Sequence, residues 1–418
     1  MKHGLTRNEP ASADKTNDLL RGIPELINKT FPVPQKFRNA LPSDIAELSR
    51  LLTNKRGERS LSYLARPNFL SAYLHYFLPW NLYRLCLLLP ALDINLSGDD
   101  SITDIGCGPL TFAAALWIAR EDLRKIPLEI NCIDRSGPAL DAGKKFFLAL
   151  CKKTDNTENP PWKINIIKED IDFRKANKPS LKKRKPASLV CAINIFNEVY
   201  ENISHNNSQE LTRMAANAAA LLRSEAGKGA SLLTVEPGVP QSGKFISLLR
   251  DELIKLGHLP LAPCTHCAAC PYIAGPAKLT RGRNWIDTKK RWCHFAFETS
   301  NAPGELHRLS ASARIPKERL VFSFLYAKED HAKSRQISGA RSMENSSGAR
   351  VISDAFPLPD NLYGCYACAE RGLILITGER NRMENLTSFS FIPQNRLMEF
   401  SADKQYDKKS GAQLMGVK

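Results

Sequence analysis

Between residues 101 and 240, short apolar runs alternate with helical stretches, and this succession constrains the fold more than any other feature of the chain. Ser101-Ile-Thr-Asp-Ile105 predicts a strand ending in glycines, and Leu110 to Ala119 predicts a helix. Leu128 to Ile133, closed by Asp134, predicts a second strand, and Pro138 to Cys151 a second helix. Ile164–Ile167, Ser188–Asn194 and Ala230–Val235 supply three more apolar strands. Strands and helices in strict succession require a parallel sheet with right-handed crossovers. Residues 16–95 read as helical, with Ile45, Leu48, Leu51 and Leu52 spaced for one face. The segment Tyr63-Leu-Ala-Arg-Pro67 breaks that region, and Phe69 to Leu89 resumes as an apolar, aromatic-rich helix.

The loop after the first strand carries chemistry. In Asp104-Ile-Gly106-Cys-Gly108 the missing Cβ atoms let backbone approach a ligand, and the helix behind the loop aims its N-terminal dipole there. Asp134, ending the second strand, is placed for the two hydroxyls of a ribose. Asp170 follows the third strand, where an adenine amino group could be read, and Asn194 ends the fourth. This series resembles a class I S-adenosylmethionine methyltransferase. The resemblance implies a Rossmann-like α/β fold and a cofactor held by Asp104, Gly106, Gly108, Asp134, Asp170 and Asn194. The bland alternative is an α/β domain whose glycines only make a tight turn. Two positions depart from the pattern: Pro109-Leu110 stands where a third glycine is usual, and Asn194-Ile-Phe-Asn-Glu198 is not Asn-Pro-Pro-aromatic. Asn197 and Glu198 either face the methyl group or cap the helix that follows. No catalytic base is evident.

Charge narrows the partner. The 418 residues include 59 Lys and Arg against 43 Asp and Glu, a net charge of +16. That excess favours a polyanion, because neutralised phosphates release counterions; an anionic membrane surface competes with it. No apolar run approaches the roughly 18 residues of a membrane span, and Leu85–Leu92 reads as the end of a buried helix. Met1 to Lys15 has no apolar core, which argues against a secretory signal. Without export, eleven cysteines imply a reducing compartment, where clustered thiols serve metals more often than disulfides.

Beyond His258 the pattern changes to loops rich in Cys, Pro, Gly and basic residues. Cys264-x2-Cys267-x2-Cys270-Pro271 resembles part of a ferredoxin loop without its close fourth cysteine, and it is not the spacing of radical S-adenosylmethionine enzymes. Distant Cys293 and Cys368 could complete it. His266 and His294 are either ligands or hydrogen-bonding neighbours. Cys86, Cys132, Cys151 and Cys191, embedded in apolar sequence, read as buried free thiols. Lys278–Trp285 and Lys289–Trp292 interleave cations with tryptophans, a pattern suited to phosphates and unpaired bases, with Arg281, Arg283, Lys289 and Lys290 as candidate RNA contacts. Lys182-Lys-Arg-Lys185 is a second basic run, read equally well as a solvated face. Arg319–Ala327 predicts a strand, Lys328–Gly348 is polar and Ser-rich, and short strands are expected around Val351 and at Gly372–Thr377.

Pro263-Cys264-Thr265-His266, Cys270-Pro271, Trp292-Cys293-His294-Phe295 and Cys368-Ala-Glu-Arg-Gly372 make a second resemblance specific. Over roughly residues 45 to 380 the chain resembles the methyltransferase-like family associated with the small ribosomal subunit, known from mitochondria and with bacterial members. That resemblance implies a [4Fe–4S] cluster on Cys264, Cys270, Cys293 and Cys368, with zinc as the alternative. It also implies small-subunit rRNA and a ribosome assembly intermediate as partners, and no membrane. Residence would be cytoplasmic for a bacterial-like chain and mitochondrial for a eukaryotic one. Thr265 stands where the family motif has proline, and Cys267 and Cys365 are extra thiols. The expected division is a helical region over 1–95, a methyltransferase-like domain over 96–258 and a Cys-rich cluster-binding segment over 259–300. A small β-rich domain over 301–392 and a tail over 393–418 complete it. Two functions fit: an enzyme methylating small-subunit RNA, or a non-catalytic rRNA-binding assembly factor that retains the cofactor pocket.

Overall fold

The computed structural model describes residues 10–53, 63–171, 184–198, 200, 208–273, 292–330, 348–399, 406–407, 410 and 412–417. Arg281, Arg283, Lys289 and Lys290, and the polar stretch 331–347, lie outside the described residues.

The N-terminal region is helical: α1 (Pro10–Arg21), α2 (Ile23–Thr30), α3 (Gln35–Arg38), α4 (Leu41–Thr53), α5 (Pro67–Ala72), a π-helical turn (Tyr73–Phe77) and α6 (Leu78–Leu88). Ile45, Leu48 and Leu51 form the buried face of α4, and Leu52 is half-buried beside them. The alternating region follows as β1 (Ser101–Ile105), α7 (Thr111–Ala119), β2 (Glu129–Asp134), α8 (Gly137–Asp155), β3 (Lys163–Lys168) and β4 (Ala187–Ile193). It continues through α9 (Ser208–Glu225), β5 (Ala226–Pro237), α10 (Pro240–Lys255), β6 (His258–Ala262), β7 (Phe295–Glu298), α11 (Gly304–Ser312) and β8 (Arg319–Glu329).

These strands make one sheet in the order β3-β2-β1-β4-β5-β8-β6, with β7 also on β8. β1 to β5 pair in parallel, whereas β8 runs antiparallel to β5, β6 and β7. This is a class I methyltransferase-like α/β fold, with one reversed strand inside a sheet otherwise built by crossovers. Period two sorts the side chains. Leu189, Cys191 and Ile193 of β4 join the core under α7 and α8, while Val190 and Ala192 join the core under α9 and α10. All nine residues of α7 are buried. A helix apolar all round needs cover on both sides, and α6 supplies the second.

A second sheet comprises β9 (Gly348–Val351), β10 (Phe356–Pro357), β11 (Tyr363–Ala369), β12 (Gly372–Gly378), β13 (Phe391–Pro393), β14 (Leu397–Glu399) and β15 (Gln413–Val417), with α12 (Arg380–Glu384) after β12. Its order is β13-β9-β11-β12-β15-β14, with β10 on β11, and it has its own core. The sequence reading grouped Arg319–Ala327 with this segment and left 393–418 as a tail. In the structure β8 belongs to the first sheet, where its Phe322, Phe324 and Tyr326 fill the core, and β15 pairs with β12. Phe389 joins the two sheets, its ring stacked 4.5 Å from Phe295.

Candidate functional site

Strand order reverses between β1 and β4, and α/β sheets bind ligands in the crevice outside the carboxyl ends at such a point. The glycine loop lies there. Gly106 (φ 69°), Gly108 (φ 53°) and Leu110 (φ 54°) occupy the left-handed region, a conformation glycine adopts without penalty and leucine does not. The amides of Gly106 and Cys107 both donate to the Ile133 carbonyl, at 2.8 and 3.1 Å, tying the turn to the end of β2. A Cβ on Gly106 would stand 2.1 Å from Cδ1 of Ile195, whereas one on Gly108 would meet nothing within 4 Å. The first glycine is therefore fixed by packing and the second faces open space.

Two carboxylates lie beneath this turn. Asp134 accepts the Gly108 amide at 2.9 Å and the Ser136 amide at 2.8 Å, so it braces the loop as well as ending β2. Burial raises its pKa from the ordinary aspartate value, and the two amides oppose that shift. Asp104 is fully buried, and neither of its carboxylate oxygens has a hydrogen-bond partner. Burial, and then the neighbouring Asp134, push it up to about 8. Such a group is expensive to leave unmatched, and it marks a place where a cationic or donor group of a ligand would be stabilised. Asp170 is exposed beyond β3, where its neighbour Glu169 receives Arg184 at 3.2 Å. Arg184 of the basic run 182–185 is thereby an ion-paired side chain and not a solvated one.

The fourth-strand end is shaped from outside the sheet. Asn194, itself at φ 57°, accepts Nη2 of Arg84 at 2.9 Å, and Arg84 also donates to Asn81 at 3.0 Å. Arg84 is buried, its Nε has no partner, and burial lowers its pKa to about 10, opposed by Glu236 and Tyr73. Tyr73, in the π-helical turn, feels burial first and then Asp134 and Glu198, all of which raise its pKa. The N-terminal helices thus roof the crevice with Tyr73, Asn81 and Arg84, none of which the sequence reading chose. The lone arginine inside the apolar run Leu78–Leu92 was the available signal. Asn197 donates back to the Asn194 carbonyl at 3.3 Å, and Glu198 pairs with Arg135 at 2.8 Å. Glu236 is buried and accepts the amides of Phe196 and Asn197, at 2.8 and 3.0 Å, fixing the turn after β4.

The second candidate site lies between the two sheets. Cys264 and Cys270 sit in the loop after β6, Cys293 just before β7 and Cys368 on β11. These four act on one another, as Cys107, Cys132 and Cys191 do inside the first sheet. Burial raises the Cys293 thiol, and Cys264, Cys270 and Cys368 raise it further. Cys270, pushed up to about 11 by burial, and Cys368 also feel Cys264. Cys365, by contrast, rises to about 12 through burial alone. Nε2 of His266 lies 3.3 Å from Sγ of Cys368, and Nδ1 of His294 lies 2.9 Å from the Trp292 carbonyl. His266 is thus a hydrogen-bonding neighbour of a thiol, whereas His294 is held by backbone beside Cys293. Among the described residues, no group of three or more His, Cys, Asp or Glu is arranged to hold a single metal ion.

A family profile described as mitochondrial small ribosomal subunit Rsm22 matches residues 97–356. The chain belongs to this family. The Rsm22 match takes in the glycine loop, Asp134, Asn194, Cys264, Cys270 and Cys293, and stops short of Cys368. It supports a methyltransferase-like role at the small ribosomal subunit. No curated protein matches the chain. Among solved structures, a candidate class I S-adenosylmethionine-dependent methyltransferase from Listeria monocytogenes is 9% identical, covering 78% of this chain and 90% of its own, with a TM-score of 0.33. Geranyl diphosphate C-methyltransferase from Streptomyces coelicolor is 10% identical, covering 69% and 98%, with a TM-score of 0.31. A phosphoethanolamine N-methyltransferase from Haemonchus contortus is 10% identical, covering 66% and 61%, with a TM-score of 0.32. These scores carry no argument, and the fold rests on the strand order. No described helix is long and apolar enough to cross a membrane.

Proposed function

We propose that this Rsm22-family chain binds S-adenosylmethionine in the crevice after β1 and acts on small-subunit rRNA during ribosome assembly. The observation that carries the reading is Asp104, buried without a partner beneath a left-handed glycine turn at the sheet's switch point. The cofactor's ammonium would supply the missing donor. Asp134 spends one lone pair per oxygen on backbone amides and keeps others for ribose hydroxyls. Gly106 and Gly108 would admit the cofactor's backbone-side edge, Asn194 would face its methionyl end, and Asp170 would read the adenine. Bound there, S-adenosylmethionine supplies an electrophilic methyl group; the protein's part is to hold and orient it.

For the cysteine site, Cys264, Cys270, Cys293 and Cys368 suit a [4Fe–4S] cluster, which spreads four thiolates over four irons, better than one zinc ion. We assign it a structural role, since its ligands come from both sheets. The net charge of +16 and the basic segment carrying Arg281, Arg283, Lys289 and Lys290 suit rRNA as the polyanion. A bacterial-type member would work in the cytoplasm and a eukaryotic one in mitochondria.

The non-catalytic assembly factor is the second reading, and a specific observation favours it. The polar groups nearest Asn194 are already engaged, with Asn194 on Arg84 and Glu198 on Arg135. The deciding experiment is Gly106→Arg, which the left-handed backbone and the 2.1 Å approach of Ile195 make a change that disrupts the cofactor turn, in cells lacking the native protein. Loss of one rRNA methyl mark establishes the enzyme. Rescue of subunit assembly with every mark intact establishes the binding role. Calorimetry showing no S-adenosylmethionine binding to the intact wild type rejects the pocket itself.

A further inference from the structure

The four-thiol site is flanked by two buried arginines, one from each sheet. Arg250, on α10, is 2% exposed. Its guanidinium donates from Nη2 to the carbonyls of His266 and Ala268, at 2.7 and 2.8 Å, inside the very loop that runs from Cys264 to Cys270. Its Nη1 meets Asp251 at 2.6 Å. Arg350, on β9, is also 2% exposed and lies directly across from Cys368 in the β9–β11 register, so the two side chains share a face. Its Nε donates to the Pro263 carbonyl at 3.3 Å and its Nη1 to the Phe389 carbonyl at 2.7 Å. Each arginine therefore grips the backbone beside a candidate ligand while placing a permanent positive charge against the thiols.

Charge counting says why a buried site needs both. Four thiolates around a divalent cubane core, or around one zinc ion, leave two negative charges inside the protein. An uncompensated buried charge is costly, and two guanidiniums oppose this pair, with the partly exposed Asp251 sharing the charge of Arg250. We infer that Arg250 and Arg350 are the positioning residues of the metal centre: they neutralise the tetrathiolate site and hold its loops in place from opposite sheets. The inference rests on the metal reading proposed above. The electrostatic neighbours agree with it. Burial pulls the Arg250 pKa down, and Cys264, Cys270, Asp251 and Cys368 more than offset that, so it stands above its usual range. Burial lowers the Arg350 pKa to about 10, and Cys264 opposes that. Arg250, with two hydrogen bonds inside the Cys264–Cys270 loop, should matter more.

The test uses full-length protein purified without oxygen. Iron, sulfide and zinc content of the wild type come first: metal-free wild type overturns both the metal reading and this inference. With metal bound, its release to a chelator is compared among wild type, Arg250→Gln, Arg350→Gln and Arg250→Lys, each checked for folding by circular dichroism. Loss of a charged, hydrogen-bonded support should weaken metal retention roughly 10–100-fold in the Gln variants. Arg250→Lys keeps the charge without the fork and should fall between wild type and Arg250→Gln. Gln variants that release like wild type overturn the inference while leaving the metal reading intact. A Lys variant as leaky as Gln overturns the neutralising role, and one as tight as wild type overturns the loop-holding role. Should Arg250→Gln fail to fold, the Lys variant and Arg350→Gln decide.

Discussion

One carboxylate makes a distinct contribution to the pH behaviour of the free protein. Asp104 has a pKa of about 8 in the folded state and, as an ordinary aspartate, about 4 when unfolded. A raised folded value means the contribution to stability is fully present below about pH 4 and is lost progressively as pH rises toward 8. Ligand-free protein should therefore melt at a lower temperature at pH 8 than at pH 5, by this group's share. Asp104→Asn removes the charge but not the shape. Its melting temperature should be the more nearly constant across that range, and higher than wild type at pH 8. If the cofactor's ammonium is the missing partner, the same variant binds S-adenosylmethionine less well. Parallel melting curves for variant and wild type at every pH would show that Asp104 is solvated or paired in solution.

At the scale of elements, α10 links the two sites. Near its start, Ser242 lies 2.6 Å from the Tyr200 hydroxyl, in the network around Glu236 that fixes the turn after β4. Two turns on, Arg250 grips the Cys264–Cys270 loop. Between them Gly243 is fixed by close approach: a Cβ there would lie 2.6 Å from Cδ1 of Trp292 and 3.1 Å from the Cys293 carbonyl. Gly243→Ala should push the Trp292–Cys293 segment off the helix. Overpacking of this kind costs about 1–3 kcal/mol, and here the displaced residue is a candidate ligand. We expect a lower melting temperature together with loss of bound metal, measured on the same preparation. Destabilisation with full metal content would mean that Cys293 is not a ligand.

For the whole molecule, the proposed metal centre would act as a tie. Cys264, Cys270 and Cys293 belong to segments flanking strands of the first sheet, and Cys368 to the second. A ligand that binds only the assembled state stabilises that state, and metal sites couple directly to folding. Chelation should therefore lower the unfolding temperature of the entire chain and bring the second sheet, with its small separate core, apart first. Hydrogen exchange with and without metal checks this: protection should fall most in β9, β11 and β12. Unchanged protection there would mean that the aromatic seam around Phe389 and the hydrogen bonds of Arg350 and Thr265 suffice to join the sheets.

What the sequence determined by itself was everything carried by local pattern. Short apolar runs alternating with helices located β1 to β5, glycines at a strand end located the loop, and the family resemblance of the cysteine motifs singled out four thiols that influence one another electrostatically in the fold. Boundaries moved by a few residues, and β11 was missed because Tyr363–Ala369 mixes small residues and cysteines with no clear alternation. The tertiary structure alone decided what depends on distant partners. β8 enters the first sheet beside β5, more than eighty residues away, because its aromatic face fits the core there; its own sequence fits either sheet. Arg84 reaches Asn194 from a separate layer, and Arg250 and Arg350 converge on the thiols from different sheets. A buried charge cannot be read from its neighbours in sequence, because its partner is chosen by the assembly of elements and the desolvation that assembly imposes.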